Sequence, residues 1–206
     1  MHNIKIAIAL ATAGGLLAAC ATGPGDAELD KRTQAVFDQA FAGSGRADMV
    51  AKLKQDEVQK VCTQYRNHPP REIAERLERS QMAAIQYPAR LMGDWRKGEK
   101  IAQDGYGLRF TDRNTKRPNG GNCYACHRLA PQELSYGTLG PSLYQFGKLR
   151  GAGEQIQRYA YGKIYNAQAF TACSNMPRLG HNHILTPEQI ADVVALLLDP
   201  GSPVNK

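Results

Sequence analysis

The chain reads as an all-α protein, and three observations carry that reading. Apolar residues recur at helical spacing in several separate stretches, and no stretch competes with the two-residue alternation of a strand. One helix start is fully spelled out: Thr186-Pro187-Glu188-Gln189 offers an N-cap hydroxyl, a proline at the first helical position and a glutamine at the third. Turn residues punctuate the apolar patterns at Gly43-Ser44-Gly45, Asn67-His68-Pro69-Pro70, Tyr87-Pro88 and Asp199-Pro200-Gly201.

The N-terminus reads as an export signal over residues 1–19. Met1 to Lys5 is a short leader with one lysine, and Ile6 to Ala19 is apolar but too short to span a bilayer comfortably. Leu17-Ala18-Ala19-Cys20 places small residues before a cysteine, the pattern of a bacterial lipoprotein signal in which Cys20 is lipidated. The alternative is an ordinary signal cut at a nearby small residue, with Cys20 incidental. The expected location is the periplasm, with a membrane tether if Cys20 carries lipid.

Residues 20–27, with Gly23-Pro24-Gly25, are expected to be a tether. Residues 28–90 are expected to form a helical extension from three patterns. The first is Leu29, Val36, Phe37, Ala40 and Phe41. The second is Met49, Val50, Leu53, Val58, Val61 and Cys62. The third is Ile73, Ala74, Leu77, Ala84 and Ile85. None of these faces carries a catalytic signature, so burial against the rest of the chain or a partner is their expected role.

A second domain is expected over residues 91–200. Asp94 can cap a helix carrying Trp95, Gly98, Ile101 and Ala102. Glycine inside a helix is unfavourable by about 1 kcal/mol against alanine, so Gly98 predicts the close approach of another backbone. Residues 104–122 lack periodicity and hold Arg109, Arg113, Lys116 and Arg117, which suits a solvated loop or a docking surface. After Thr186, the residues Ile190, Val193, Val194, Leu197 and Leu198 complete the last helix.

The chemistry is concentrated at Cys123-Tyr124-Ala125-Cys126-His127. C-x-x-C-H is the attachment signature of c-type haem: two thiols add to the vinyl groups as thioethers, and the next histidine ligates iron. The expected cofactor is one covalently attached haem c, held by Cys123 and Cys126 with His127 as the first axial ligand. The rival is a zinc site, because Cys and His at short spacing also suit tetrahedral zinc. Such a site would draw on Cys123, Cys126, Cys173 and His181.

An electron carrier benefits from two strong axial ligands, which keep the iron geometry nearly constant between oxidation states. Candidates for the second are Met176, His181, His183, His68 and the thiolate of Cys173. Met176 is favoured: it sits 49 residues after His127, beside Pro177 and ahead of the final helix. A thioether also raises the potential relative to histidine or thiolate. Pro141 lies fourteen residues after His127; it can pack on the imidazole face, and its neighbourhood can offer a carbonyl to the imidazole N–H, which would orient the ligand, a simple turn being the alternative.

Five cysteines are present, and haem and lipid would account for three. Cys62 and Cys173 remain, and in an oxidising compartment they are expected to pair; two separate buried thiols are the alternative. The chain carries 26 Lys and Arg against 19 Asp and Glu, a formal +7, which becomes +6 once Lys5 leaves with the signal. That mild, dispersed basicity fits acidic partners and does not argue for nucleic acid.

From Trp95 and Gly98 through the haem motif, Gly140-Pro141, a helix around Glu154–Tyr165, Met176 and the final helix, the order resembles the small monohaem class of cytochrome c. Three runs narrow the resemblance: Thr138-Leu139-Gly140-Pro141-Ser142-Leu143, Cys173-Ser174-Asn175-Met176-Pro177-Arg178-Leu179-Gly180, and Ile184-Leu185-Thr186 with Ile190-Ala191-Asp192-Val193-Val194-Ala195-Leu196-Leu197. They look like the SoxX subunit of the SoxAX cytochrome complex. That resemblance implies a heterodimer with a SoxA-type haem subunit, acting as an L-cysteine S-thiosulfotransferase that joins thiosulfate to a cysteine of a carrier protein. The substrate site would lie on the partner. This chain would take the electrons through the haem at Cys123, Cys126, His127 and Met176 and pass them to a diffusible acceptor. The long extension and the loop 104–122 depart from a minimal member. A free-standing, lipid-tethered electron carrier for another oxidase or dehydrogenase would use the same haem residues.

Overall fold

A computed structural model describes residues 25–42 and 50–206. The expected signal over 1–19, Cys20, most of the expected tether and Met49 lie outside the described residues. The described residues form α-helices and short 3₁₀ turns with no strand among them, the all-α class that the sequence predicts. No helix among them is long and apolar enough to cross a membrane. The chain divides into two compact units, residues 1–44 and 45–206.

In the first unit, α1 spans Asp26–Phe41. It starts inside the expected tether because Asp26 and Glu28 place negative charge on its first turn, where the helix dipole favours it. Arg32–Glu28 and Gln34–Asp38 contacts, both 2.8 Å, join successive turns. None of its residues is buried, and Leu29, Val36 and Phe37 are exposed.

In the second unit, residues 50–51 are helical, and after a break over 52–56 come α2 (Glu57–Gln64) and α3 (Arg71–Ala83). The second sequence pattern does not run on as one helix. Asp56 caps α2, accepting from Gln59 N at 2.9 Å while Gln59 accepts from Asp56 N at 3.0 Å. This reciprocal box starts a fresh helix inside the apolar pattern. Arg66 and Asn67 then take left-handed backbone, with φ of 49° and 64°, and turn the chain into α3. Val58, Cys62 and Leu77 meet Cys173 in a small apolar cluster of their own.

The larger core is built around α7 (Pro187–Leu198), started by Thr186 accepting from Gln189 N. Residues Ile190, Ala191 and Val193 through Leu198 are all buried, so α7 is enclosed on nearly every side. Helix α4 (Trp95–Gln103), capped by Asp94, lies directly on it. Gly98 faces the Asp192 carbonyl so closely that any Cβ there would overlap it, which is the close approach expected from a mid-helix glycine. Asp192 Oδ1 accepts from Asp94 N at 2.8 Å and ties the two helices at their polar end.

Helices α5 (Phe146–Arg150) and α6 (Glu154–Tyr165) pack on other sides of α7. A 3₁₀ turn at Pro203–Asn205 closes the chain: the Asn205 amide donates to Leu197 O and Asp199 O, both at 3.0 Å, and its oxygen accepts from Lys148 N. These bonds satisfy carbonyls that the end of α7 would otherwise leave unpaired.

The loop 104–122 is ordered by its own charges. The buried Asp112 carboxylate accepts from Gly107 N and Arg109 N and pairs with Arg109 Nη2 at 3.0 Å. Arg117 pairs with Asp104 at 3.0 Å and stacks on Tyr106. Two of the loop's basic residues are thus engaged within it, which weakens its reading as an open docking surface.

Candidate functional site

Cys123–Ala125 forms a 3₁₀ turn entered from a left-handed Asn122 with φ of 48°. Cys126 N and His127 N both donate to Cys123 O, at 3.1 and 2.9 Å. This tight winding brings two thiols and an imidazole out of a five-residue run. Cys123 and Cys126 are free thiols. Burial pushes the Cys123 thiol up to about 12, so it is held in its neutral form.

The segment after the motif runs back along it. Gly137 N donates to Tyr124 O, Gly140 N to Cys126 O and Leu143 N to Arg128 O, each at 2.8 Å. Gly140 is thereby pressed against the His127 ring, where a Cβ would overlap the imidazole. His127 Nδ1 lies 2.8 Å from the Pro141 carbonyl oxygen. A carbonyl only accepts, so Nδ1 carries the proton and Nε2 keeps its lone pair for a metal. Pro141 therefore acts through its own carbonyl, and the ring face is met by Gly140.

Met176 borders the large core cluster, as Cys123 does. Its loop returns to α6 through Gly180 N and His181 N, which both donate to Tyr165 O at 3.1 and 3.0 Å. The other candidate ligands are placed differently. His68 is exposed and bonds the Arg66 carbonyl at 2.7 Å. His183 is exposed in a left-handed turn with φ of 53°. His181 lies in the electrostatic field of Arg178 and Asp56, and burial together with the Arg178 charge lowers its pKa. Cys173 is bonded to Cys62, with Cα atoms 5.4 Å apart, so its sulfur is not available to iron or zinc. Among the described residues no group of three or more His, Cys, Asp or Glu is placed to hold a metal ion.

Residues that sequence reasoning passed over surround this loop. Arg178 is buried, and its Nη2 lies 2.6 Å from Asp56 Oδ2, while its Nη1 has no partner. Burial alone would raise the Asp56 pKa, but the Gln59 N–H and the Arg178 guanidinium hold it below its ordinary value. Tyr161 is fully buried and its hydroxyl has no partner. Burial, with neighbouring negative charge, pushes that hydroxyl up to about 12. The Asp56-x-x-Gln59 spacing was a readable signal for the cap, but nothing local announced its bond to Arg178.

These residues fit a haem c. Two unoxidised thiols, an imidazole with its Nε2 left free and a thioether on a tied loop are the donors such a group requires. Buried polar atoms without partners at Arg178 and Tyr161 are consistent with a further polar group nearby. Cys123 and Cys126 would hold the haem covalently, and His127 and Met176 would supply its axial donors. When bound, the haem supplies one-electron exchange. Pro141 fixes the proton on Nδ1 of His127, and Met176 lies half-buried against the core.

The family model described as Cytochrome c matches residues 95–199. An "Uncharacterized lipoprotein" from Aquifex aeolicus (strain VF5) is 37% identical over 161 residues, covering 76% of this chain and 75% of the relative.

Proposed function

This chain belongs to the cytochrome c family, whose members transfer electrons through covalently bound haem c, and we propose that it serves as the SoxX-like subunit of a thiosulfate-oxidising complex. The observations that support the electron-transfer part are the haem motif with His127 oriented by the Pro141 carbonyl, and Met176 on a tied loop against the core. With His127 and Met176 as its axial ligands, the iron would have no open site for substrate. The chain would therefore pass electrons rather than bind thiosulfate.

The thiosulfate link rests on the likeness of residues 138–143, 173–180 and 184–197 to SoxX. Joining a cysteine thiol to thiosulfate forms an S–S bond and releases one proton and two electrons. A SoxA-type partner would carry out that step on a carrier-protein cysteine. This haem would take the electrons singly and hand them to a diffusible acceptor. Co-expression of the holoprotein with a SoxA-type subunit tests the reading: the two should purify together, and thiosulfate with the carrier should reduce this haem. A haem that stays oxidised while the partner turns over would end the proposal.

A second reading has its own support. The relative from Aquifex aeolicus is described as a lipoprotein, which favours a lipid-tethered periplasmic carrier anchored at Cys20. That carrier would purify alone and would incorporate labelled lipid only while Cys20 is present.

A further inference from the structure

Helices α2 and α3 hold the Met176 loop at four points, each by different chemistry. Asp56 pairs with Arg178 at 2.6 Å. Cys62 is bonded to Cys173 across 111 residues of chain. Glu78 Oε1 accepts from Ala172 N at 2.8 Å. Gln81 Oε1 accepts from Asn166 Nδ2, also at 2.8 Å. The ties land at residues 166, 172, 173 and 178, so they flank Met176 on both sides.

Between these ties Phe170, Met176 and Leu179 pack on the large core, while the polar bonds of residues 173–176 stay within the loop. Ser174 N donates to Thr171 O and Met176 N to Ser174 Oγ, both inside the loop. The bonds to the Tyr165 carbonyl begin only at Gly180. Cys173 itself sits at φ of 62°, a left-handed conformation that an L side chain keeps only where its surroundings impose it. Here the imposed contacts come from the extension: Val58, Cys62 and Leu77 pack against Cys173.

We infer that α2 and α3 are a positioning device for the Met176 thioether, with Asp56, Cys62, Glu78 and Gln81 setting how firmly its sulfur competes for the sixth position on the haem iron. The inference rests on the reading of Met176 as that ligand. A thioether is neutral, and an external ligand such as imidazole displaces it from iron when the loop can swing away. How well it competes depends on its effective concentration, which falls as the tethering loosens. The extension would thus act on the iron without touching it, which gives a cytochrome core a reason to carry some sixty more residues.

Imidazole titration of the ferric holoprotein tests this, followed by loss of the sulfur-to-iron absorption band at the red end of the visible spectrum. Asp56→Asn keeps a capping side chain on α2 and removes the charge facing Arg178; Glu78→Ala and the double variant Cys62→Ala with Cys173→Ala remove two further ties. Imidazole affinity should rise by about threefold to tenfold for each single variant and by about tenfold or more for the double variant, with haem still attached. Affinities within twofold of the parent in all three, with the band intact, would overturn the inference. Met176→Ala separates the two claims. It should abolish the band and raise imidazole affinity beyond any extension variant. If it leaves both unchanged, the ligand assignment itself is wrong and the inference falls with it.

Discussion

Gly98 lies against the carbonyl of Asp192 with no room for a side chain between α4 and α7. The close crossing lets Asp192 Oδ1 reach Asp94 N and lets Leu196 pack beneath the glycine. Gly98→Ala gains about 1 kcal/mol of helix propensity but must push two backbones apart. Overpacking of this kind costs about 1–3 kcal/mol, so a net destabilisation is expected. A lower thermal midpoint for the holoprotein checks this, and an unchanged or higher one refutes it.

The same argument applies at the haem motif. Gly140→Ala would drive a methyl group into the His127 ring and turn it away from the Pro141 carbonyl. The expected result is intact thioether attachment with altered axial ligation, read as a shifted Soret maximum and a changed midpoint potential. A variant indistinguishable from the parent in both would show that Gly140 does not orient the ring.

Loss of the Cys62–Cys173 bond should be costly because it closes 111 residues. Replacing both cysteines by alanine is expected to destabilise by about 3 kcal/mol, measured by denaturant unfolding of the holoprotein. A loss under about 1 kcal/mol would mean that the hydrogen bonds and apolar packing of the extension hold it alone.

Acid should destabilise the fold in two steps. Three groups titrate lower in the fold than their ordinary values: His181 below 6.5, and Asp56 and Asp112 below 3.8. Burial opposes ionisation of all three; for the carboxylates, bonds from Gln59 and Arg178 or from Arg109 and Gly107 outweigh it. Each group binds its proton more readily in the unfolded chain, so stability present above the unfolded pKa is lost as pH falls through the folded one. Unfolding midpoints should decline from just below pH 6.5 and again below pH 3.8. His181→Asn should flatten the first decline, and Asp56→Asn should reduce the second, leaving the share of Asp112; parallel curves for parent and variants would contradict the assignment.

Much of the central architecture was legible because its signals are local. Thr186, Pro187 and Gln189 announce α7 within four residues, and Gly98 announces a crowded crossing by its rarity inside a helix. The haem motif is contained in five residues. What could not be read were bonds that depend on tertiary placement. Glu78 and Ala172 are 94 positions apart and Gln81 and Asn166 are 85 apart, and each partner is an ordinary polar group in its own neighbourhood. The apolar pattern over 49–62 was misread for a different reason: helical spacing continued across Asp56, while the capping box there began a new helix. In the basic loop, charge counting overlooked that Arg109 and Arg117 had carboxylates within reach in the same segment.

The enclosing position of one cysteine pair around the other constrains biogenesis. Cys62 and Cys173 bracket Cys123 and Cys126 along the chain, so the outer pair must be sealed without drawing in the inner one, whether that pair is still reduced or already joined to haem. A bond between Cys123 and Cys126 would consume both thioether sites, and a cross-pairing would consume one and strand the other. Maturation is thus a sorting problem among four chemically identical groups.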